Sequence, residues 1–392
     1  MTAYLNALGL NCALGMDTAS VAAGLFAGSS AGLRREQGWL PGAPALVAPV
    51  PGELAPLPAA LAEHDSRNNR LLLQAARQVE APLRQAVRQY GAARVAVIIG
   101  TSTSGIDASR EGFQAYLRDG RLPEHYPYAQ QLLESPAECL AQWLGCQGPT
   151  YVISTACTSS GRALMSARRL LAMGACDAVV CGGADSLCQL TVAGFSSLAA
   201  VSSNRCNPCS ANRDGINIGE AAVVFLMTRE RPATGPAVAL LGAGASSDAH
   251  HISAPDPSGA GAISAMRQAL VQAGLAAEQI GYLNLHGTAT AHNDAMESLA
   301  VAHVFPQGVP CSSTKPMTGH TLGAAAALEV AFCWLSLAHR QLPPHLWDGV
   351  KDPALPPLRL TEPGQPLATP YLMSNSFAFG GNNVSLILGE VA

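Results

Sequence analysis

The chain has 392 residues, 48% of them hydrophobic and only 13% charged, and a formal net charge of -4. That balance excludes a global attraction for nucleic acid or an anionic membrane. So low a charged fraction also predicts more apolar surface than one monomer can bury, and hence an oligomer. The start, Met1 to Asn6, carries no basic segment, and Asn11 and Asp17 interrupt the region where a secretion signal would be apolar. No stretch reaches roughly 18 uninterrupted apolar residues, so the expectation is a soluble, cytoplasmic protein without a membrane span. Eleven cysteines are an odd number and argue against a full disulfide framework. Cys206 and Cys209 form a lone C-x-x-C with no second pair or histidine partner, so no metal site is expected there.

In chain order, Leu40 to Pro58 is rich in Pro and Ala and reads as a surface loop. Val95 to Ile99 is a buried strand ending in Gly100-Thr-Ser-Thr-Ser-Gly105. Tyr151 to Cys157 leads into a predicted helix over 158–173, closed by Gly174. Ala178 to Cys181, Ala221 to Met227, Val238 to Leu241, Tyr282 to Leu285 and Leu386 to Leu388 are further apolar strand candidates, with helices predicted over 260–273 and 323–339. Continuous apolar strands separated by helices mean sheets covered on both faces, an α/β architecture. Each half repeats one theme: strand, small-residue turn, and a helix starting at a reactive side chain. Cys157 ends the first instance and His320 the second, so the spacing suggests two related halves, 1–235 and 236–392, that face each other across the site.

Three segments carry chemistry. Cys157, in Ser154-Thr-Ala-Cys-Thr-Ser-Ser160, sits at a predicted helix N-terminus, where unsatisfied N–H groups and the dipole favour thiolate. A buried structural cysteine is the competing reading of that segment taken alone. His286 follows a strand in Leu283-Asn-Leu-His-Gly-Thr-Ala-Thr290, and the C-terminal ends of strands are where α/β proteins bind ligands. Gly287 would let a ligand approach, and Thr288 and Thr290 offer hydroxyls. His320 opens a predicted helix, so the dipole should keep it neutral and able to donate a hydrogen bond. Only two of the 23 basic residues are lysines. One of them, Lys315, stands five residues before His320 and presents a compact ammonium that arginine does not mimic. Glu329 is a candidate to balance it.

Taken together, Thr155-Ala-Cys157-Thr-Ser, His286-Gly-Thr-Ala-Thr290, Lys315-x4-His320 and Asn375-Ser-Phe-Ala-Phe-Gly-Gly-Asn-Asn383 resemble the β-ketoacyl-[acyl carrier protein] synthase I/II family. Arg213-Asp-Gly215 to Glu220 and Asp248 to Pro255 extend the resemblance over nearly the whole chain. It implies the thiolase fold, two α/β halves in five αβαβα layers, and a homodimer. It also implies that Cys157 accepts an acyl group from acyl carrier protein. Malonyl carrier protein then loses CO2 with His286 and His320 as donors to the developing enolate. The backbone N–H groups of Cys157 and Phe379 would form the oxyanion hole, with Lys315 fixing the electrostatics and Glu329 supporting it. By the same resemblance Thr288 and Thr290 contact phosphopantetheine, Phe379 gates the site, and Arg67, Arg70 and Arg213 dock the acidic carrier protein. No cofactor is implied, because decarboxylation supplies the driving force.

The chain departs from the family pattern at three places. Cys209 stands where an acyl-pocket phenylalanine is usual, Thr103 where an apolar pocket residue is common, and Asn382-Asn383 where Thr-Asn is common. The segments Gly100-Thr-Ser-Thr-Ser-Gly105 and Ser376-Phe-Ala-Phe-Gly-Gly-Asn-Asn383 resemble those of the discrete synthases of bacterial aryl polyene pathways. Two fold relatives fit less well: a thiolase needs a second cysteine near the C-terminus, and the last one here is Cys333; a ketoacyl synthase III pairs Cys with His and Asn. A non-catalytic partner subunit resembling a chain length factor is the other reading, as is a heterodimer in which this chain is the active half.

Overall fold

The computed structural model describes residues 2–124, 126 and 128–391. Its strands, in chain order, are β1 (Tyr4–Cys12), β2 (Arg34–Leu40), β3 (Ala43–Ala48), β4 (Val95–Gly100), β5 (Thr150–Ile153), β6 (Ala178–Asp185) and β7 (Ile218–Gly219). They continue as β8 (Ala221–Thr228), β9 (Val238–Ser247), β10 (Tyr282–Asn284), β11 (Pro310–Ser312), β12 (Arg359–Leu360), β13 (Tyr371–Ala378) and β14 (Asn382–Glu390). Eleven of them lie side by side in the order β12-β11-β10-β13-β14-β9-β1-β8-β6-β4-β5. β1 and β9 touch through a single antiparallel pair, Tyr4 with Ala239, which divides the array in two. On one side β1–β8 and β8–β6 are antiparallel, while β6–β4 and β4–β5 are parallel. On the other, β9–β14 and β14–β13 are antiparallel, and β13–β10 and β10–β11 parallel. The chain thus builds the same sheet twice.

Both sheets are covered on both faces: β4, β6 and β8 in the first and β10 in the second are buried at every position. Two helices fill the space between them, Ser159–Ala172 and Ala325–His339, and they pack on each other and on strands of both sheets. Helices Arg67–Gln78 and Ser135–Leu144 cover the outer face of the first sheet, and Ala260–Ala273 and Ala291–Val304 that of the second. The result is five layers, αβαβα, as a thiolase fold requires. Residues Leu322–His339 are long and apolar enough to cross a membrane, but 83% of that stretch is buried as the central helix and the turn before it.

Two local expectations need correcting. Residues 40–58 are not a plain surface loop: β3 pairs with β2 and β7, and Val47, Ala48, Val50 and Leu57 are buried. The apolar residues at alternate positions of β3 outweigh the turn-forming composition around it. Nor does His320 open the long helix. It lies between a four-residue helix, Lys315–Thr318, and a tight turn, Leu322–Ala324, with the long helix starting at Ala325.

Candidate active site

The duplicated topology puts Cys157 and His320 in corresponding places. Within the eleven-stranded sheet each follows the third strand that its half contributes in chain order, β5 or β11, and precedes that half's central helix. Ala156 takes a left-handed backbone conformation, φ 52°, which turns the chain sharply just before Cys157. The turn is tied by its own hydroxyls. Ser159 Oγ accepts from Thr155 N at 2.9 Å and donates to Ala156 O at 2.6 Å, and Thr158 Oγ1 donates to Thr155 O at 2.8 Å. Small residues let the helix come close. A Cβ on Gly183 would lie 2.5 Å from that of Ser160, and one on Gly100 would strike the Ser160 backbone.

The His320 backbone is held by β7, donating to Asn217 O at 2.7 Å and accepting from Gly219 N at 3.0 Å. His286 comes from the segment after β10. Its N–H and that of Gly287 donate to the Glu297 carboxylate at 2.8 and 2.7 Å. Gly287 has φ 42°, and a Cβ there would lie 2.5 Å from that of Ser313. What the glycine admits is therefore Ser313, not a ligand as its place in the sequence suggested.

Cys157 Sγ lies 2.9 Å from His320 Nε2. The His286 and His320 rings stand edge to face, 5.3 Å between centroids and 84° between planes. The sulfur and one nitrogen of each ring are all within 4.8 Å of one another. All three residues line a cavity of about 500 Å³ together with Thr288, Thr290, Phe377 and Phe379. Lys315, 2% exposed, donates to His286 O and pairs with Glu329. Burial first, and the Lys315 ammonium second, hold the pKa of both histidines well below the ordinary range. Both rings are thus neutral. The cause is desolvation and a nearby cation rather than the helix dipole that the sequence pointed to.

The thiolate expectation also fails. Burial pushes the Cys157 pKa up to about 12; Lys315 and the backbone N–H groups of Phe379 and Cys157 pull it down without overcoming desolvation, while Glu329 works with burial. The resting pair is a thiol beside a neutral imidazole. Two backbone N–H groups directed at the sulfur region are the donors an oxyanion hole needs.

Other expected residues scatter. Neither Thr103 nor Cys209 lines the cavity. Thr103 bonds to Asp185 through both N and Oγ1 at 3.2 Å, and Cys209 packs into an apolar cluster with Met266 and Leu283 while its N–H donates to Asp294. Arg67 is paired with buried Glu220, Arg70 with Asp65 and Arg213 with Asp352. Of the three, Arg213 reaches the cavity wall, with its side chain only 11% exposed.

Sequence reasoning missed Phe195, whose ring sits 5.2 Å from that of Phe379 in the cavity wall. It also missed Glu297, and His345, which accepts from Ser313 N at 3.1 Å and donates to Pro208 O at 3.0 Å. An acidic pair three residues apart, Asp294 and Glu297, at the start of the helix after the His286 loop was the available signal.

Among the described residues, Cys157, His286 and His320 are also the three metal-donor side chains that converge; Lys315 beside them works against a cation.

Comparison with known proteins places this geometry. Residues 57–233 match the β-ketoacyl synthase N-terminal domain and 238–347 the C-terminal domain. The chain is similar to 3-oxoacyl-[acyl-carrier-protein] synthase 2 of Vibrio cholerae serotype O1, 33% identical over 77% of each chain. Among solved structures, it resembles the ketosynthase ApeO of Xenorhabdus doucetiae, solved in complex with its chain length factor ApeC (45% identity, TM-score 0.95, covering 100% of this chain and 98% of the other). It also resembles the ishigamide ketosynthase/chain length factor (26% identity, TM-score 0.89, covering 100% of this chain and 99% of the other). With both domains matched across most of its length and the sulfur and imidazoles converging in one cavity, the chain belongs to the β-ketoacyl synthase family.

Proposed function

We propose that the chain is a 3-oxoacyl-[acyl carrier protein] synthase that joins a Cys157-bound acyl group to malonyl carrier protein by decarboxylative Claisen condensation. The carrying observation is the convergence of one thiol and two neutral imidazoles in a single cavity. In the first step Cys157 Sγ attacks the acyl thioester, the bond to the phosphopantetheine sulfur breaks, and the thiol proton ends on that departing sulfur. In the second, the C–C bond to the malonyl carboxylate breaks and CO2 leaves. Neutral His286 and His320 donate to the enolate oxygen, and the carbanion attacks the Cys157 thioester. The tetrahedral oxyanion meets the N–H groups of Cys157 and Phe379, and the expelled thiolate regains a proton. Lys315 keeps both imidazoles neutral, and Glu329 balances Lys315. Thr288 and Thr290, whose hydroxyls are 3.0 Å apart in the cavity wall, are placed to meet the phosphopantetheine arm. No residue in this scheme calls for a cofactor.

The 45% identity to ApeO supports a conjugated, aryl-capped polyene as the acyl chain and a chain-length-factor-like subunit as partner. Phe113, Tyr116, Leu117 and Tyr128 expose 45–84% of their surface, and β5 ends the sheet with one edge unpaired. Exposed apolar side chains and an open strand edge are the kinds of surface a second subunit covers. Arg67 and Arg70 keep 45% and 36% of their side chains exposed and offer the carrier protein a basic approach. The intact Cys157, His286 and His320 disfavour a silent-partner role for this chain.

Intact mass spectrometry after incubation with a panel of acyl carrier proteins tests the reading. Acyl transfer onto wild type but not Cys157→Ala is expected. His286→Ala and His320→Ala should still be acylated yet lose malonyl decarboxylation. Normal decarboxylation by both would overturn the role assignment.

A further inference from the structure

Asp185 ends β6, is fully buried, and touches neither the cavity nor the catalytic side chains. Its carboxylate nevertheless gathers donors from both halves of the molecule. Oδ1 accepts from Thr101 Oγ1 at 2.6 Å, Ser102 N at 3.0 Å, Thr103 N at 3.2 Å and Thr103 Oγ1 at 3.2 Å. Oδ2 accepts from Ser102 N at 2.9 Å and Gly323 N at 2.6 Å. The first set lies just after Gly100, the residue pressed against Ser160 in the Cys157 helix. Gly323 lies in the turn after His320, next to Leu322, which is held at φ 50°. A Cβ on Gly323 would come within 2.6 Å of both Asp185 Oδ2 and Ser102 N, so the turn is seated directly on the carboxylate. A second link runs parallel to it: Ser160 Oγ accepts from Ala327 N at 2.9 Å.

We propose that Asp185 is a positioning residue that keeps the His320 turn in register with the Cys157 turn. A buried carboxylate does this where an amide would not. All its partners are donors, and an amide NH2 would face one of them donor to donor. Burial raises the Asp185 pKa, while the Thr101 hydroxyl and the N–H groups of Ser102, Thr103 and Gly323 oppose that shift by favouring the ionised form.

The argument rests on His320 acting in decarboxylation, and the experiment separates the two ideas. Malonyl decarboxylation and Cys157 acylation are each measured for wild type, Asp185→Asn, His320→Ala and the double variant. In Asp185→Asn the ratio of decarboxylation to acylation should fall by about 10- to 100-fold, the scale of a misplacement near 1 Å. In the His320→Ala background the same substitution should lower decarboxylation no further. A ratio unchanged in Asp185→Asn, or losses that multiply in the double variant, would overturn the positioning role whatever the thermal stability. Normal decarboxylation by His320→Ala alone would instead sink the reading of His320. Thr101→Val removes one donor without leaving a buried charge unpaired. It carries the same ratio test at a smaller size, roughly threefold to tenfold, if Asp185→Asn does not fold.

Discussion

Cys157 and His320 occupy corresponding turns of two equivalent sheets, yet the two turns are held by different physics. The cysteine turn relies on small residues: Gly100 and Gly183 admit Ser160, Ala156 takes the left-handed conformation, and neighbouring hydroxyls close the loop. The histidine side relies on buried charge. Glu297 holds the His286 and Gly287 amides, Asp294 those of Ala289 and Cys209, and Lys315 joins the His286 carbonyl to Glu329. In the proposed reaction the Cys157 sulfur has to be reached by substrate, which suits a turn built tightly from small parts. The imidazoles must stay neutral and aimed, so theirs is built from buried carboxyl groups that hold the backbone and an ammonium that opposes imidazolium.

The comparison can be broken first at Lys315. Lys315→Ala leaves Glu329 buried without its cation, and stability should fall by about 3–5 kcal/mol in urea unfolding. Glu329, already raised to about 7 chiefly by burial, would then titrate higher still. An undiminished midpoint would show that the pair does not hold this half together.

Glu297→Gln comes next. The amide retains one acceptor oxygen for two backbone donors, so a loss of about 1.5–3 kcal/mol is expected, together with slower malonyl decarboxylation and unchanged Cys157 acylation. Equal losses in both half-reactions would mean that the cysteine turn depends on the same charges.

On the other side, Gly100→Ala should cost about 1–3 kcal/mol by overpacking against Ser160. Its functional loss should fall on acylation, the reverse of Glu297→Gln. A crystal structure of the variant with Ser160 unmoved would remove the packing argument.

The last test is in pH. Burial lowers the His345 pKa to about 4, against 6.5 for an unperturbed histidine. Below pH 6.5 the unfolded chain takes up this proton and the folded one does not. Stability is therefore complete above pH 6.5 and is lost as pH falls toward about 4, by at most about 1.4 kcal/mol per pH unit. His286 and His320, lowered in the same direction, add to the slope. Unfolding midpoints from pH 7 to pH 5 check it: His345→Gln should flatten the slope, and an identical slope in that variant would contradict it.

How far the sequence could be read follows the same division. Apolar β-branched runs such as Val95–Gly100 marked the strands, because a strand buried on both faces must be apolar throughout. Turns after strands marked Cys157, His286 and His320, and the lone-lysine signal marked Lys315, because each is a local pattern. Residues 40–58 were misjudged because the turn-forming composition there concealed one inward-facing edge of a strand.

The sequence by itself determined the layered α/β architecture and singled out the side chains that the structure gathers in one cavity, since periodicity and reactive-residue spacing are written along the chain. Only the tertiary structure decided the protonation of those side chains and which neighbours aim them. Burial, not the local dipole, makes the Cys157 sulfur a thiol and the imidazoles neutral. Asp185, Glu297, His345 and Phe195 find their partners 10 to 184 positions away. Desolvation and long-range contact depend on what folds over a residue, and no local pattern of residue types contains that.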